Sequence, residues 1–506
     1  MREQLESLLL AFAVASAVAV TAKRWGMPYN VALVLVGLAG VLTNVLPSAP
    51  LDPGLVLLVF LPMLVFEASI EAQVDHLRHA ARPILALALP GVALSLLATG
   101  VIATWVLELP FSVALLLGAL LAITDTVSVL LAFKSVRVPH RLAAIMEGES
   151  LFNDGTALVL VILCAGVVSK GVFDPTATAR SLAIAIIGGG VLGVAFGAIG
   201  AMVLRRVPDH LTVILSSVVL VFGTSLIAER FHASAVIAVV VAGLYVGNAA
   251  RKALEASHVL ALEGFWETSG FLINVMLFLL VGMQINAQLL VDEAGAIGLA
   301  LVALHGGRAI AVYGSFAALR VFLRETVPIR WQHVMVVGNI KGALSMAAVL
   351  ALPVDLPYRS RLVTIVFGVT FVTLVTQALP FKWALKWLQV TVGAGDVAVD
   401  RAKARLVSAR RGLSELDELL ATGLVSRKDH AVRRAAFQRL VIDAEAVLRR
   451  AGDDATHDHV DVALLHGRKA ALKEAARRGL IDGEAAEEQI SELDRELVQL
   501  SKEGEG

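Results

Sequence analysis

The chain has 506 residues, of which 57% are hydrophobic and only 17% charged. Soluble domains are nearer half apolar and a quarter charged, so the composition excludes an ordinary soluble protein and specifies a polytopic membrane protein. A formal net charge of zero gives no support to a nucleic-acid partner, and one cysteine, Cys164, excludes an intramolecular disulfide and any multi-cysteine metal site.

The first residues, Met1-Arg2-Glu3-Gln4-Leu5-Glu6, carry two acids where a cleavable signal peptide has a basic run, so Leu8 to Val20 reads as the first spanning helix. A bilayer crossing needs about 20 mostly apolar residues, which gives about thirteen spans. They fall near 5–22, 28–46, 53–71, 83–107, 111–133, 140–168, 180–204, 211–228, 232–249, 260–284, 295–320, 331–352 and 360–388. Loops after the odd-numbered spans through the eleventh hold fourteen basic residues, against five in the alternate loops. The positive-inside rule then places the N-terminus outside and the C-terminus in the cytoplasm.

In the third span, Glu67 is followed by Glu71 and Asp75. Its position leaves it open between an interfacial carboxylate and a functional one. The fifth span carries Thr124-Asp125-Thr126, where short polar side chains can satisfy the backbone of an unwound helix. A matching break is expected in the twelfth span, at Gly338-Asn339-Ile340-Lys341-Gly342. Paired broken helices whose ends point at an ion are a transporter device. Asp125 is expected at the positive N-terminal end of one half-helix and Lys341 at the negative C-terminal end of another.

The sixth span contains Glu147-Gly148-Glu149-Ser150-Leu151-Phe152-Asn153-Asp154-Gly155. An ionisable residue at mid-span costs roughly 2.5–3.5 kcal/mol to insert, so it persists where it faces protein or water. Ser150 and Asp154 are i, i+4 and share a face, while Glu149 and Asn153 share the adjacent one. Asp154 with Ser150 can therefore line a water-filled cavity while Glu149 meets a neighbouring helix. Arg308, mid-way along the eleventh span, is the natural partner for Glu149, and a buried Glu–Arg pair is structural by default. Glu147 receives no role.

No nucleophile–base arrangement at depth suggests an enzyme, and no Gly-rich Lys loop suggests ATP-driven pumping. The tail differs: residues 401–506 hold 19 of the 43 Lys+Arg and 20 of the 43 Asp+Glu. Leu406, Leu413, Leu416, Leu419 and Leu420, then Val432, Phe437, Leu440, Val441 and Leu448, recur at helical spacing between charges. Residues 391–506 are thus a soluble helical tail, and 1–390 a transmembrane domain. The tail reads as a stabilising or dimer-contacting domain, with ligand sensing the alternative. Turns are expected at Asp453-Asp454 and Asp482-Gly483. The cluster Asp453, Asp454, His457, Asp458, His459 and Asp461 reads as a solvated turn, with a metal site the alternative.

Residues 1 to about 390 resemble the monovalent cation–proton antiporters, the branch of bacterial NhaP-type antiporters and animal sodium–proton exchangers. Phe66-Glu67, Thr124-Asp125, the Glu147-to-Gly155 run, Gly307-Arg308-Ala309 and Gly338 to Gly342 carry the resemblance. It implies an all-α membrane fold of about 13 helices in two inverted six-helix repeats, with crossed, broken fifth and twelfth helices cradling the ion. It also implies a homodimer in the plasma membrane whose core domain moves like an elevator. Asp154 would bind a monovalent cation or a proton, never both. Thr124, Ser150 and Glu67 would contribute to the site, Asp125 would lie near the crossing with Asn339 and Lys341, and Asn153 would orient its neighbours. Glu149–Arg308 has a counterpart ion pair. Thr126 stands where the family often has Pro, and Lys341 where many relatives carry Arg. The expected activity is exchange of Na+, Li+ or K+ for H+, one for one and electroneutral, with no cofactor. A K+/H+ antiporter or tail-gated K+ efflux system is the alternative.

Overall fold

The computed structural model describes residues 13–18, 20–22, 24, 28–43, 52–207, 209–391 and 394–450, together with 489, 492 and 493. Among them the secondary structure is helical, with no strand. The chain divides into two compact units, Met1–Thr391 and Val392–Gly506.

In chain order the first unit runs α1 (Tyr29–Leu42), α2 (Pro53–Glu71), α3 (Ala81–Val106), α4 (Phe111–Ala122), α5 (Thr126–Ser135) and α6 (His140–Lys170). It continues with α7 (Pro175–Leu204), α8 (His210–Arg230), α9 (Ala235–Ala253), α10 (Ala256–Gln284) and α11 (Ala294–Leu323). The last are α12 (Ile329–Val337), α13 (Ala343–Leu350), α14 (Arg359–Ala378) and α15 (Phe381–Trp387). Nine of the helices in the described residues are long and apolar enough to cross a bilayer, and α1 and α4 are shorter apolar helices. Residues 13–22 hold part of the first expected span, the remainder lying outside the described residues.

Several ends depart from the hydropathy reading for local reasons. Helix α7 begins at Pro175, ahead of the expected 180, because Asp174 accepts hydrogen bonds from the Thr176 and Ala177 backbone N–H groups and Pro175 pre-sets the first turn. The thirteenth expected span, 360–388, is two helices: α14 closes in a π-turn at Leu374–Ala378, and α15 starts after Pro380. The fifth and twelfth spans are interrupted, at 123–125 between α4 and α5 and at 338–342 between α12 and α13.

Packing follows a membrane logic. Helix α1 lies on α10, α7 on α9, and α3 on both α4 and α11. Large apolar side chains such as Ile187, Val191, Val219, Leu226 and Val302 are exposed on long helices. In water such a surface would be a liability; against lipid tails it is ordinary. The chain is a multi-pass membrane protein.

The second unit contains an antiparallel pair, α16 (Ala394–Ala421) and α17 (Arg427–Arg450). Between them Gly423, which the leucine pattern does not single out, takes a left-handed φ of +76°, and Ser426 Oγ accepts from the Asp429 N–H at 3.1 Å. Asp417 accepts from both His430 and Arg434, and Arg410 pairs with Glu445 across the hairpin at 3.0 Å. Leu416 is buried, whereas Val432 and Leu440 are exposed. The expected turns at Asp453-Asp454 and Asp482-Gly483, and the acid-and-histidine cluster, lie outside the described residues.

Candidate functional site

The two breaks meet. The Asp125 backbone N–H donates to the Ile340 carbonyl at 2.8 Å, a backbone bond joining one interrupted span to the other. Unwound backbone leaves polar groups that lipid cannot satisfy, so each must find a protein partner. At the carbonyl end of α4, Ile123 O accepts from Lys341 Nζ at 3.0 Å and from Ser345 Oγ at 3.4 Å. Lys341 Nζ also donates to Asn339 Oδ1 at 2.7 Å, and its backbone N–H donates to Thr373 Oγ1 at 3.1 Å. The fully buried ammonium thus faces the negative end of a half-helix, as the charge pattern predicts.

Asp125 occupies the opposite electrostatic position. It occupies the N-cap position of α5, without a side-chain cap hydrogen bond, and lies against Gly342, the N-cap residue of α13. A Cβ at Gly342 would sit 2.8 Å from Asp125 Cβ, so glycine is what allows the two breaks to approach this closely. The carboxylate therefore stands at the N-terminal ends of two half-helices, where partial positive charge collects.

Helix α6 crosses beside these breaks. Asn153, fully buried, donates from Nδ2 to Ala122 O and to Thr124 Oγ1, both at 3.0 Å. One amide thereby holds the end of α4 and turns the Thr124 hydroxyl. Asp154, one residue on, lies within electrostatic reach of Asp125, Glu149 and Lys341. Its Oδ1 is buried and has no hydrogen-bond partner, as is true of Asn153 Oδ1. Unpartnered acceptor oxygens thus stand on two consecutive residues of α6. Ser150, one turn earlier on α6, is buried.

Glu149 points elsewhere. Arg308 on α11 donates to its two carboxylate oxygens at 2.9 and 3.0 Å and to the Met335 carbonyl on α12 at 3.2 Å. Both side chains are buried, and the bidentate geometry engages both carboxylate oxygens of Glu149. Glu67 on α2 is half-buried against α10, where a Cβ at Gly270 would fall 2.9 Å from its Cδ. Tyr29 at the start of α1 lies within electrostatic reach of both Glu67 and Asp125.

The sequence reading passed over Asn30, Ser128, Ser345 and Thr373. Ser345 and Thr373 satisfy the breaks; Asn30 donates to Ser128 Oγ, and Ser128 donates to Asp125 Oδ2. Hydroxyls are common in membrane helices, so Ser345 and Thr373 carried no signal. Asn30 did carry one, as an amide in an otherwise apolar run.

A family model described as sodium/hydrogen exchanger, transmembrane, matches residues 9–387. The chain belongs to this family. It is 36% identical to the Na(+)/H(+) antiporter NhaS2 of Synechocystis over 517 residues, covering 98% of this chain and 93% of that one. It is 34% identical to the Na(+)/H(+) antiporter NhaG of Bacillus atrophaeus, over 81% of this chain and 77% of the relative. The fold matches the sodium proton antiporter MjNhaP1 from Methanocaldococcus jannaschii with a TM-score of 0.65 at 21% identity, covering 76% and 98% of the two chains. The exchanger fold thus spans the first unit, and the likeness to NhaS2 extends through nearly the whole chain.

Proposed function

We propose that the chain exchanges sodium for protons across the membrane, the two cations competing for Asp154. The observation that carries this reading is the unpartnered, buried Oδ1 of Asp154 beside the junction of two broken helices. A carboxylate in that position is costly unless it is neutralised, and either a proton or a cation neutralises it. The unpartnered Asn153 Oδ1, with the Thr124 hydroxyl, Ser150 and Glu67, supplies further oxygen ligands suited to a hard monovalent ion. Asp125, Asn339 and Lys341 set the field at the crossing rather than bind the ion in turn.

One exchangeable acid beside an amide gives one cation per proton, hence an electroneutral cycle. The family and the names of the relatives support sodium and do not favour the potassium alternative. We place the chain in the plasma membrane as a homodimer, with residues 391–506 forming a cytoplasmic helical domain. The positive-inside pattern supports this orientation. The function requires no cofactor.

The test is a pH-gradient dequenching assay in proteoliposomes, with Na+, Li+ and K+ added in turn. Sodium is expected to collapse the gradient at concentrations at which potassium does not, without net current. Potassium equal to sodium, or a current that runs without a proton gradient, would contradict the proposal.

A further inference from the structure

Asn30 is fully buried in the first turn of α1, a helix whose neighbouring side chains are apolar. A buried amide left unsatisfied costs about 1–3 kcal/mol, so the groups that satisfy Asn30 explain why it is there. Its Oδ1 accepts from the Val31 N–H at 3.0 Å, one of the donors that a first helical turn leaves without an intrahelical acceptor. That bond fixes the orientation of the amide, because a flipped side chain would set N–H against N–H. Nδ2 is thereby turned to Ser128 Oγ.

The donor inventory then sets the direction of the chain. An amide nitrogen only donates, so the Ser128 oxygen accepts from Asn30, and the one hydroxyl proton is committed to Asp125 Oδ2. A fixed sequence of bonds runs from α1 through α5 to the junction of the two breaks. Helix α1 itself is held by its packing on α10, independently of this bond.

We infer that Asn30 is a positioning residue for the exchange site: through Ser128 it holds the Asp125 carboxylate against Gly342, between the N-terminal ends of α5 and α13. Without the amide, the Ser128 hydroxyl is free to rotate onto a backbone carbonyl of its own helix. Asp125 then loses the donor that Ser128 supplies, and the field around Asp154 is less firmly fixed before the cation arrives. The effect falls on cation affinity. This inference rests on Asp125 belonging to the exchange site.

The experiment measures sodium-driven proton flux in proteoliposomes for Asn30→Ala, Ser128→Ala, the double variant, Asn30→Ser and Asp125→Asn, with the thermal unfolding temperature of each. Asn30→Ala is expected to raise the sodium KM by about tenfold, the usual scale of one oriented hydrogen bond to a charged group, while the maximal rate changes little and the unfolding temperature falls only by the modest amount that one stranded Val31 N–H costs. Ser128→Ala should give the same shift, and the double variant no more than either single, because both act on one chain of bonds. Asn30→Ser, which keeps a donor, should recover part of the affinity. An unchanged KM in Asn30→Ala, additive shifts in the double variant, or a fall in maximal rate without a rise in KM would overturn the assignment. Asp125→Asn separates the two levels. If it leaves the KM unchanged, Asp125 is not in the site and the site reading fails; if it shifts the KM while Asn30→Ala does not, only the role of Asn30 fails.

Discussion

Asp154→Asn is expected to reduce sodium-dependent proton flux to that of empty liposomes while leaving the protein folded. The replacement keeps the shape of the side chain and removes the group that both cations need. An amide neither takes up a proton at these pH values nor balances the charge of a bound sodium ion. Stability should hold or rise, because the native carboxylate has a buried oxygen without a partner, and removing an uncompensated charge relieves its desolvation cost. The flux assay therefore has to be paired with thermal unfolding: lost transport with an equal or higher unfolding temperature fits a binding role. Flux that survives the substitution would remove Asp154 from the site.

Glu149→Ala should act in the opposite way, on the fold first. Arg308 would be left buried with the Met335 carbonyl as its remaining partner and no counter-charge. Breaking one side of a buried pair costs about 3–5 kcal/mol, enough to lower the unfolding temperature sharply or to stop the protein accumulating. Replacing both residues by methionine removes both charges and should recover much of that loss, since the penalty comes from the stranded guanidinium. The measurement is the unfolding temperature of the single and double variants. A Glu149→Ala protein as stable as the parent but inactive would make Glu149 a ligand for the transported ion. The two acids lie five residues apart on α6 and answer in different assays because one is paired and the other is not.

Much of this site was legible in the sequence because hydrocarbon makes polar residues conspicuous. Asp154, Glu149 and Arg308 stand out as charges at depth, and helical spacing separates the face of Asp154 from that of Glu149. The breaks at 123–125 and 338–342 were readable from Thr-Asp and from two glycines flanking Asn-Ile-Lys. Lys341 could be placed at a carbonyl end by electrostatics alone, and its partner there is Ile123. What the sequence could not supply was the contact 98 residues away that makes Asn30 informative. Periodicity says which face of α1 is apolar, but not which helix the amide will meet. The end of α14 was missed for a different reason: mean hydropathy stays high through Pro380, while the backbone stops there. In the tail, the reversal falls in the gap between the two apolar runs, where a positive φ at Gly423 and the Ser426 cap make the turn.

Single-site competition at Asp154 is tested most directly by counting protons released as sodium binds. Purified protein in weakly buffered detergent solution is titrated with sodium near the pH at which the site is half protonated, and released protons are counted against bound sodium. Approaching one proton per sodium at lower pH, with apparent sodium affinity falling about tenfold per pH unit there, is the expected result. Asp154→Asn should release none. Sodium binding without proton release in the native protein, or undiminished release in Asp154→Asn, would contradict competition at this carboxylate.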